Sequence, residues 1–258
     1  MVSAVGRFNR TSCWFDSKGW NSPPPYLCRV IQAIIFDLDG LLVNSEPLWR
    51  RAEAVVFRSL GIDLNDEELA ATTGIRLDEV VRIRHREHPW STPSLPDVEQ
   101  AILDELEGLI RSDAGPTPGA VATVRFFAER GLPLAVASSS PLRVIEAQLR
   151  KLALLDAFAV LRSAEFEKLG KPYPGVYLST AASLNVEPRL CLAFEDSLPG
   201  LIAAKAANMR AVAVPDREFA AHPGLGVADL VLPSLEHWND ALWQRFRSGE
   251  KALRPSNP

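Results

Sequence analysis

Two aspartates spaced two residues apart open the part of the chain that could do chemistry. The tetrapeptide Asp37-Leu38-Asp39-Gly40 directly follows the short apolar run Ala33–Phe36. In an open α/β sheet, ligands bind beyond the carboxyl ends of the strands, and a glycine there lets the chain turn closely. A solvated turn is the alternative, because Asp and Gly are also common turn residues. The tetrapeptide by itself leaves both interpretations open.

Three further polar clusters lie where apolar runs end or where the chain crosses over. They are Ser138-Ser139-Ser140, Lys171-Pro172 and Glu195-Asp196-Ser197. Each has an ordinary explanation, since serine and aspartate can cap helices and most lysines lie at the surface. Their joint occurrence favours a shared site, because the carboxyl ends of parallel strands meet at one edge of a sheet.

These residue types suit the transfer of a phosphoryl group. The carboxylates of Asp37 and Asp196 are hard oxygen ligands of the kind that Mg²⁺ prefers. A hydroxyl, an ammonium and a divalent cation together can neutralise the charge of a phosphate. An aspartate such as Asp37 could attack phosphorus, and Asp39 could give and take the proton.

Hydrophobic runs predict the elements that would position the clusters. Continuous apolar runs suit parallel strands that are covered on both faces. We predict strands at Ala33–Phe36, Leu134–Ala137, Leu190–Phe194, Ala211–Val214 and Leu230–Leu232, with a weaker one at Ala157–Leu161. Helical patterns lie between them, and this order predicts an α/β fold, a Rossmann-like, doubly wound parallel sheet.

One long stretch contains helical patterns and no convincing strand. Between Asn44 and Pro118 we predict helices at Leu48–Leu60, Asp66–Ala71, Leu77–Glu87 and Val98–Arg111. Proline and glycine at both boundaries are typical of an inserted domain on two hinges. We therefore predict a catalytic core at 31–44 and 118–250 and an inserted all-helical cap domain at 45–117, called the helical cap below.

No folded domain is predicted at the two ends of the chain. Residues 1–30 mix basic residues with serine, proline and aromatics, without a sustained period. A transit peptide has a similar composition, but no convincing amphipathic helix supports that interpretation, so a disordered extension is favoured. Residues 251–258 are predicted to form a short C-terminal tail.

Composition restricts the partners and the compartment. The net charge of −4 predicts no broad basic surface for nucleic acid or anionic lipid. The three cysteines fit neither a disulfide framework nor a zinc pattern, which favours a reducing compartment. No apolar stretch approaches the length needed to cross a bilayer. We expect a cytoplasmic monomer that binds a small molecule rather than nucleic acid or a membrane.

In their order along the chain, the clusters resemble the four motifs of the haloacid dehalogenase superfamily. The run from Phe36 to Glu46 resembles the first motif, and Ser138, Lys171-Pro172 and Glu195-Asp196-Ser197 resemble the second, third and fourth. The resemblance covers residues 33–245, approximately. Two departures are Asn44 and Gly170, which stand where relatives usually have Asp and Ser.

Two segments indicate which branch of the superfamily the chain resembles. Ser45-Glu46-Pro47-Leu48-Trp49 and Thr73-Gly74-Ile75-Arg76 resemble the β-phosphoglucomutase-like branch, and within it the bacterial hexitol and 2-deoxyglucose-6-phosphate phosphatases. This implies a Mg²⁺-dependent phosphatase that hydrolyses sugar or sugar-alcohol phosphates through an aspartyl phosphate.

The resemblance also implies a role for each motif residue. Asp37 would be the nucleophile and Asp39 the general acid and base. The carboxylates of Asp37 and Asp196 and the backbone carbonyl of Asp39 would bind Mg²⁺, with Glu195 supporting the metal site. The substrate would be held by Ser138, Ser139 and Lys171 at its phosphoryl oxygens and by Arg76 of the helical cap.

The same residues argue for or against other activities of the superfamily. A hydrolytic dehalogenase lacks the second carboxylate of the first motif, so Asp39 argues against it. A phosphonatase needs a cap lysine, and residues 45–117 contain none. A β-phosphoglucomutase-type phosphomutase would use the same Asp37 and Asp39 and stays an alternative. A non-catalytic module that binds phosphate or Mg²⁺ is the remaining alternative.

Overall fold

A six-stranded parallel sheet forms the centre of the protein. The computed structural model describes residues 30–72, 74–216 and 219–248, so the predicted C-terminal tail, and the N-terminal extension up to residue 29, lie outside the described residues. The strands are β1 (Ala33–Phe36), β2 (Leu134–Ser138), β3 (Val160–Ser163), β4 (Cys191–Glu195), β5 (Arg210–Ala213) and β6 (Leu230–Val231). Their order across the sheet is β3-β2-β1-β4-β5-β6. The predicted α/β fold is confirmed.

Strand β1 occupies the middle of the sheet, where it pairs in parallel with β2 on one side and β4 on the other. Its alternate side chains enter two separate hydrophobic clusters, Ile34 and Phe36 on one face and Ala33 and Ile35 on the other. The ring of Phe36 stacks on that of Phe194 with the centroids 5.1 Å apart. Burial on both faces explains why this strand is continuously apolar.

The described part of the helical cap is built from α-helices. These are α1 (Glu46–Ser59), α2 (Asp66–Ala70), α3 (Leu77–Glu87) and α4 (Leu95–Asp113). Helix α4 packs against both α1 and α3. It begins with a capping box, in which Ser94 accepts from the N–H of Asp97 and Asp97 accepts from the N–H of Ser94. The boundaries of a separate cap domain at 45 and 117 stay a prediction.

Two segments connect the helical cap to the sheet, and they run side by side. The N–H of Asn44 donates to the carbonyl of Gly115 at 3.0 Å, and the N–H of Thr117 donates to the carbonyl of Leu42 at 3.1 Å. Both segments therefore meet the core beside the turn that follows β1. Helix α1, the first helix of the helical cap, therefore begins close to the aspartate pair.

The remaining helices cover the two faces of the sheet. They are α5 (Ala120–Ala128), α6 (Leu142–Lys151), α7 (Gly175–Ser183), α8 (Leu198–Ala206) and α9 (Asp240–Ser248). Helices α5, α6 and α9 share the hydrophobic cluster of Phe36, whereas α7 and α8 share that of Ile35. Among the described residues, no helix combines the length and apolar character that a membrane span requires.

Candidate active site

Asp37 lies at the carboxyl end of the central strand, next to the end of β4. Its N–H donates to the carbonyl of Phe194 at 3.0 Å, which ties the two strand ends together. Because β4 ends at Glu195, Asp196 follows at the same edge of the sheet. Gly40 allows the close approach, since it has a φ of +78° and a Cβ at this position would collide with the Asp196 carboxylate.

Lys171 joins two carboxylates at the bottom of the site. Its side chain is 2% exposed, and its ammonium contacts Asp37 Oδ1 and lies 2.6 Å from Glu195 Oε1. Burial lowers the pKa of Lys171, but Asp37 and Glu195 outweigh this effect and raise the pKa, so the group stays an ammonium. Tyr177 of α7 also donates its hydroxyl to Glu195 Oε1, and the Ser197 hydroxyl donates to Oε2 at 3.1 Å. Glu195 thus holds Lys171 against Asp37.

The acidic groups of the site are crowded together. One carboxylate oxygen from each of Asp37, Glu195 and Asp196 lies within 4.8 Å of the others. Burial raises the pKa of Asp37 to about 8, with the Lys171 ammonium opposing the shift and the neighbouring carboxylates adding to it. Burial and the same neighbours also raise the pKa of Asp196. One ammonium cannot balance three carboxylates, so these residues fit a divalent cation that prefers oxygen ligands, such as Mg²⁺.

Asp39 belongs to a different hydrogen-bond network, whose donors come from both the core and the start of the helical cap. Its Oδ2 accepts from Ser138 at 3.2 Å and from Ser140 at 2.6 Å. Its Oδ1 accepts from Ser45 at 2.7 Å, Trp49 Nε1 at 3.0 Å and Gln148 Nε2 at 2.9 Å. The carboxylate of Asp39 therefore links the catalytic core to the start of α1.

Gln148 is the member of this network that the sequence prediction missed. It is fully buried on α6, and its Oε1 has no hydrogen-bond partner in the part of the chain that the structure describes. The available signal was a polar residue between Ile145 and Leu149, which lie on the apolar face of the helix. An amide in that position needs a polar partner, because burying one without a hydrogen bond is costly.

Ser138 and Ser139 both line a cavity between the core and the helical cap, together with Asp37 and Lys171. The hydroxyl of Ser138 is occupied by Asp39, whereas that of Ser139 donates to the carbonyl of Gly74 in the helical cap at 3.3 Å. The structure thus brings both serines to the expected place. That they bind phosphoryl oxygens stays a prediction.

Arg76 does not line this cavity, so its predicted contact with the substrate stays a prediction. Its guanidinium donates to core backbone carbonyls, those of Ala164 at 3.3 Å and Glu167 at 3.0 Å. The same group is paired with Asp78, and the side chain is only 15% exposed. Through these partners, Arg76 connects the helical cap to the core.

The cap side of the cavity is formed by residues of α1, α2 and α3 and of the segment between α2 and α3. They include Glu46, Trp49, Arg50, Glu53, Leu69, Thr72, Ile75, Leu77 and Val80. Glu53 stands out chemically, since it is only 7% exposed. Burial raises its pKa to about 7, with Arg84 opposing the shift.

Comparison with known proteins assigns the chain to a family. Residues 31–208 match the model of the haloacid dehalogenase-like hydrolases. The chain belongs to this family. The haloacid dehalogenase-like chain is 43% identical over 208 residues to hexitol phosphatase B of Escherichia coli (strain K12), a match that covers 80% of this chain and 94% of the relative. It is an enzyme, a phosphoric monoester hydrolase.

Solved structures of haloacid dehalogenase-like enzymes share the fold. CbbY from Rhodobacter sphaeroides in complex with phosphate aligns with a TM-score of 0.73 at 29% identity, covering 81% of this chain and 96% of that one. A β-phosphoglucomutase from Clostridium difficile aligns with a TM-score of 0.73 at 25% identity, covering 84% and 97%. These neighbours confirm the resemblance to the β-phosphoglucomutase-like branch.

Proposed function

We propose that this enzyme is a Mg²⁺-dependent phosphatase that hydrolyses sugar or sugar-alcohol phosphates through an aspartyl phosphate on Asp37. The observation that carries the proposal is the position of Asp37, buried at the end of β1 with Lys171 against one of its oxygens, at the floor of a cavity. The likeness to a hexitol phosphatase over most of both chains supports the substrate class.

In the first step, a carboxylate oxygen of Asp37 attacks phosphorus and the bond from phosphorus to the ester oxygen breaks. Asp39 gives its proton to the departing oxygen, which leaves as the alcohol. The contact of Lys171 with Asp37 orients the nucleophile, and its charge offsets that of the phosphoryl oxygens. Ser138 and Ser139, at the same end of the cavity, would donate hydrogen bonds to those oxygens.

In the second step, water attacks the phosphorus of the aspartyl phosphate. Asp39 takes the proton that this water loses, and the bond between phosphorus and Asp37 breaks, which restores both carboxyl groups. The hydroxyls of Ser45 and Ser140 and the Gln148 amide hold Asp39 in place between the steps. The helical cap covers the cavity and limits the access of bulk water.

The acidic cluster would hold the metal. Asp37 and Asp196 would bind Mg²⁺ through their carboxylates and Asp39 through its backbone carbonyl, with Glu195 keeping Lys171 in place. When bound, the cation supplies positive charge that offsets the negative charge of the phosphoryl group.

A panel of phosphate monoesters tests the proposed function. The purified enzyme should release phosphate from hexitol phosphates and from 2-deoxyglucose 6-phosphate in the presence of Mg²⁺, with a higher kcat/KM than for p-nitrophenyl phosphate. Release from p-nitrophenyl phosphate alone would reject the substrate class while leaving the phosphatase chemistry intact.

A phosphomutase is the second candidate, because a β-phosphoglucomutase is among the structures with the same fold. It would transfer the phosphoryl group of Asp37 to a sugar hydroxyl instead of water. Incubation with β-glucose 1-phosphate and its bisphosphate primer separates the two. Glucose 6-phosphate would be the main product of a mutase, whereas free phosphate would be the main product of a phosphatase.

A further inference from the structure

Glu53 lines the cavity, and one oxygen of its carboxyl group is buried without a hydrogen bond in the described residues. The residue lies on α1 and is 7% exposed, and its Oε2 has no partner in the described residues. The other buried residues of α1, such as Ala52 and Phe57, are mostly apolar. A buried oxygen that stays unpaired costs about 1–3 kcal/mol. A ligand that donates a hydrogen bond to Glu53 would remove this cost.

The neighbouring cations do not satisfy this oxygen. In Arg84, Nη2 is bound to the carbonyl of Glu68 and to Thr72 Oγ1 at 3.1 Å, and Nη1 is bound to Glu87 at 2.9 Å. Its Nε is buried and makes no hydrogen bond to the described residues, Glu53 included. No ion pair joins Glu53 to an arginine within the described ranges. Arg50, one turn before Glu53, also lines the cavity, and its own Nε is buried without a partner in the described part of the chain. The same wall therefore offers an unused acceptor and an unused donor.

The two ends of the cavity differ in the groups they can bind. Lys171 lies at the end formed by the core, where positive charge and hydroxyls suit a phosphoryl group. The carboxyl of Glu53 lies on the opposite, cap-derived wall, where an anionic phosphate would be repelled when Glu53 is ionised. The group that matches an acceptor beside a donor is a hydroxyl, which can both donate and accept a hydrogen bond.

We infer that Glu53 determines substrate specificity, by accepting a hydrogen bond from a hydroxyl on the organic part of the phosphate ester, with Arg50 Nε donating beside it. This inference rests on the proposed function and specifies it, since it assigns the recognition of a polyhydroxylated substrate to named atoms of the helical cap. Sites that hydrogen-bond a substrate hydroxyl discriminate strongly against compounds that lack it, because their polar groups are then left unpaired.

The test compares a hydroxyl-rich substrate with one whose leaving group has no hydroxyl to offer. Steady-state rates are measured for sorbitol 6-phosphate and p-nitrophenyl phosphate with the wild type, Glu53→Met and Glu53→Gln. Methionine keeps the length of the side chain without an oxygen, and glutamine keeps one acceptor without the charge. We expect Glu53→Met to lower the ratio of the two kcat/KM values about tenfold to a hundredfold, mainly through KM for sorbitol 6-phosphate, and Glu53→Gln to lower it less.

Glu87→Gln is the matched control. Glu87 is a carboxylate of the same helical cap that pairs with Arg84, but it is 49% exposed and does not line the cavity. Its variant should keep the wild-type ratio, which would exclude a general change in the charge of the helical cap. A set of deoxy derivatives adds a direct readout, because the one lacking the recognised hydroxyl should be hydrolysed equally well by the wild type and Glu53→Met.

The outcomes separate this inference from the proposed function. Equal losses on both substrates, or no loss, would overturn the role of Glu53 while the sugar phosphatase assignment stands. A wild type that hydrolyses p-nitrophenyl phosphate but no sugar or polyol phosphate would overturn both. If Glu53→Met fails to fold, Glu53→Gln gives the same comparison with a smaller expected change in the ratio.

Discussion

The ammonium of Lys171 lies 2.6 Å from Oε1 of Glu195, and both side chains are almost completely buried. This pair positions the cation that contacts Asp37. Replacing Lys171 with methionine should therefore abolish phosphatase activity and lower the free energy of unfolding by about 3–5 kcal/mol, because it leaves buried carboxylates without their counter-charge. Phosphate release and urea unfolding measure the two effects.

Lys168 supplies the control for this prediction. It is exposed and lies three residues earlier on the same loop. Lys168→Met should leave both activity and stability close to wild type. A Lys171→Met protein as stable as the wild type would contradict the conclusion that the ammonium compensates the acidic cluster.

Replacing Asp37 with asparagine should reduce turnover of p-nitrophenyl phosphate to background. An amide oxygen is a poor nucleophile and cannot form the acyl phosphate. Rapid acid quenching of the wild type during turnover, followed by mass spectrometry, should find one phosphoryl group on the peptide that contains Asp37. Phosphate release by Asp37→Asn at a rate near that of the wild type would exclude this residue as the nucleophile.

The dependence on a metal gives a further prediction. A chelator should stop phosphate release, and excess Mg²⁺ should restore it. Asp196→Asn should raise the Mg²⁺ concentration needed for half-maximal activity at least about tenfold, since it removes a charged ligand. Asp156→Asn, at an exposed aspartate, should not change this concentration. Full activity in the chelated wild type would count against the metal site.

Gln148 should act as a positioning residue for Asp39. Gln148→Met keeps the volume of the side chain but removes the amide that donates to Asp39 at 2.9 Å. We expect kcat to fall about tenfold with KM nearly unchanged, because a misoriented acid transfers its proton less efficiently. The free energy of unfolding should change by less than about 1 kcal/mol, since the unpaired Oε1 is lost as well. A large loss of stability with normal kcat would instead indicate a purely structural role.

How far the sequence predicts the fold depends on burial. Strand β1 was predicted at its observed bounds, because it is apolar on both faces. The edge strand β3 was predicted too early, at 157–161 instead of Val160–Ser163, since Leu155–Ala157 form a 3₁₀ turn and the strand is half-buried. Helix α7 was not predicted, because it consists largely of small residues without a helical apolar period.

The candidate site shows a similar limit. The motif residues Asp37 and Asp196 were predicted together, because their strand ends must meet at one edge of the sheet, and Lys171 was predicted to join them from a crossover loop. Glu53 was given no role, and Arg76 does not line the cavity, since the positions of both depend on how the helical cap lies on the core. On α1, Glu53 resembles an ordinary polar residue of an amphipathic helix until its burial against the cavity is known.

The stability of the protein should depend on pH through Glu53. Its pKa is raised by burial from 4.5 to about 7, so between these values the folded protein keeps a proton that the unfolded chain has lost. Raising the pH through this window therefore destabilises the wild type, and the shift corresponds to about 3 kcal/mol. Glu53→Gln has no such proton, so its stability relative to the wild type should increase by this amount between pH 4 and pH 8. Urea unfolding of both proteins at the two pH values measures the change, and an equal difference at both would show that Glu53 titrates normally.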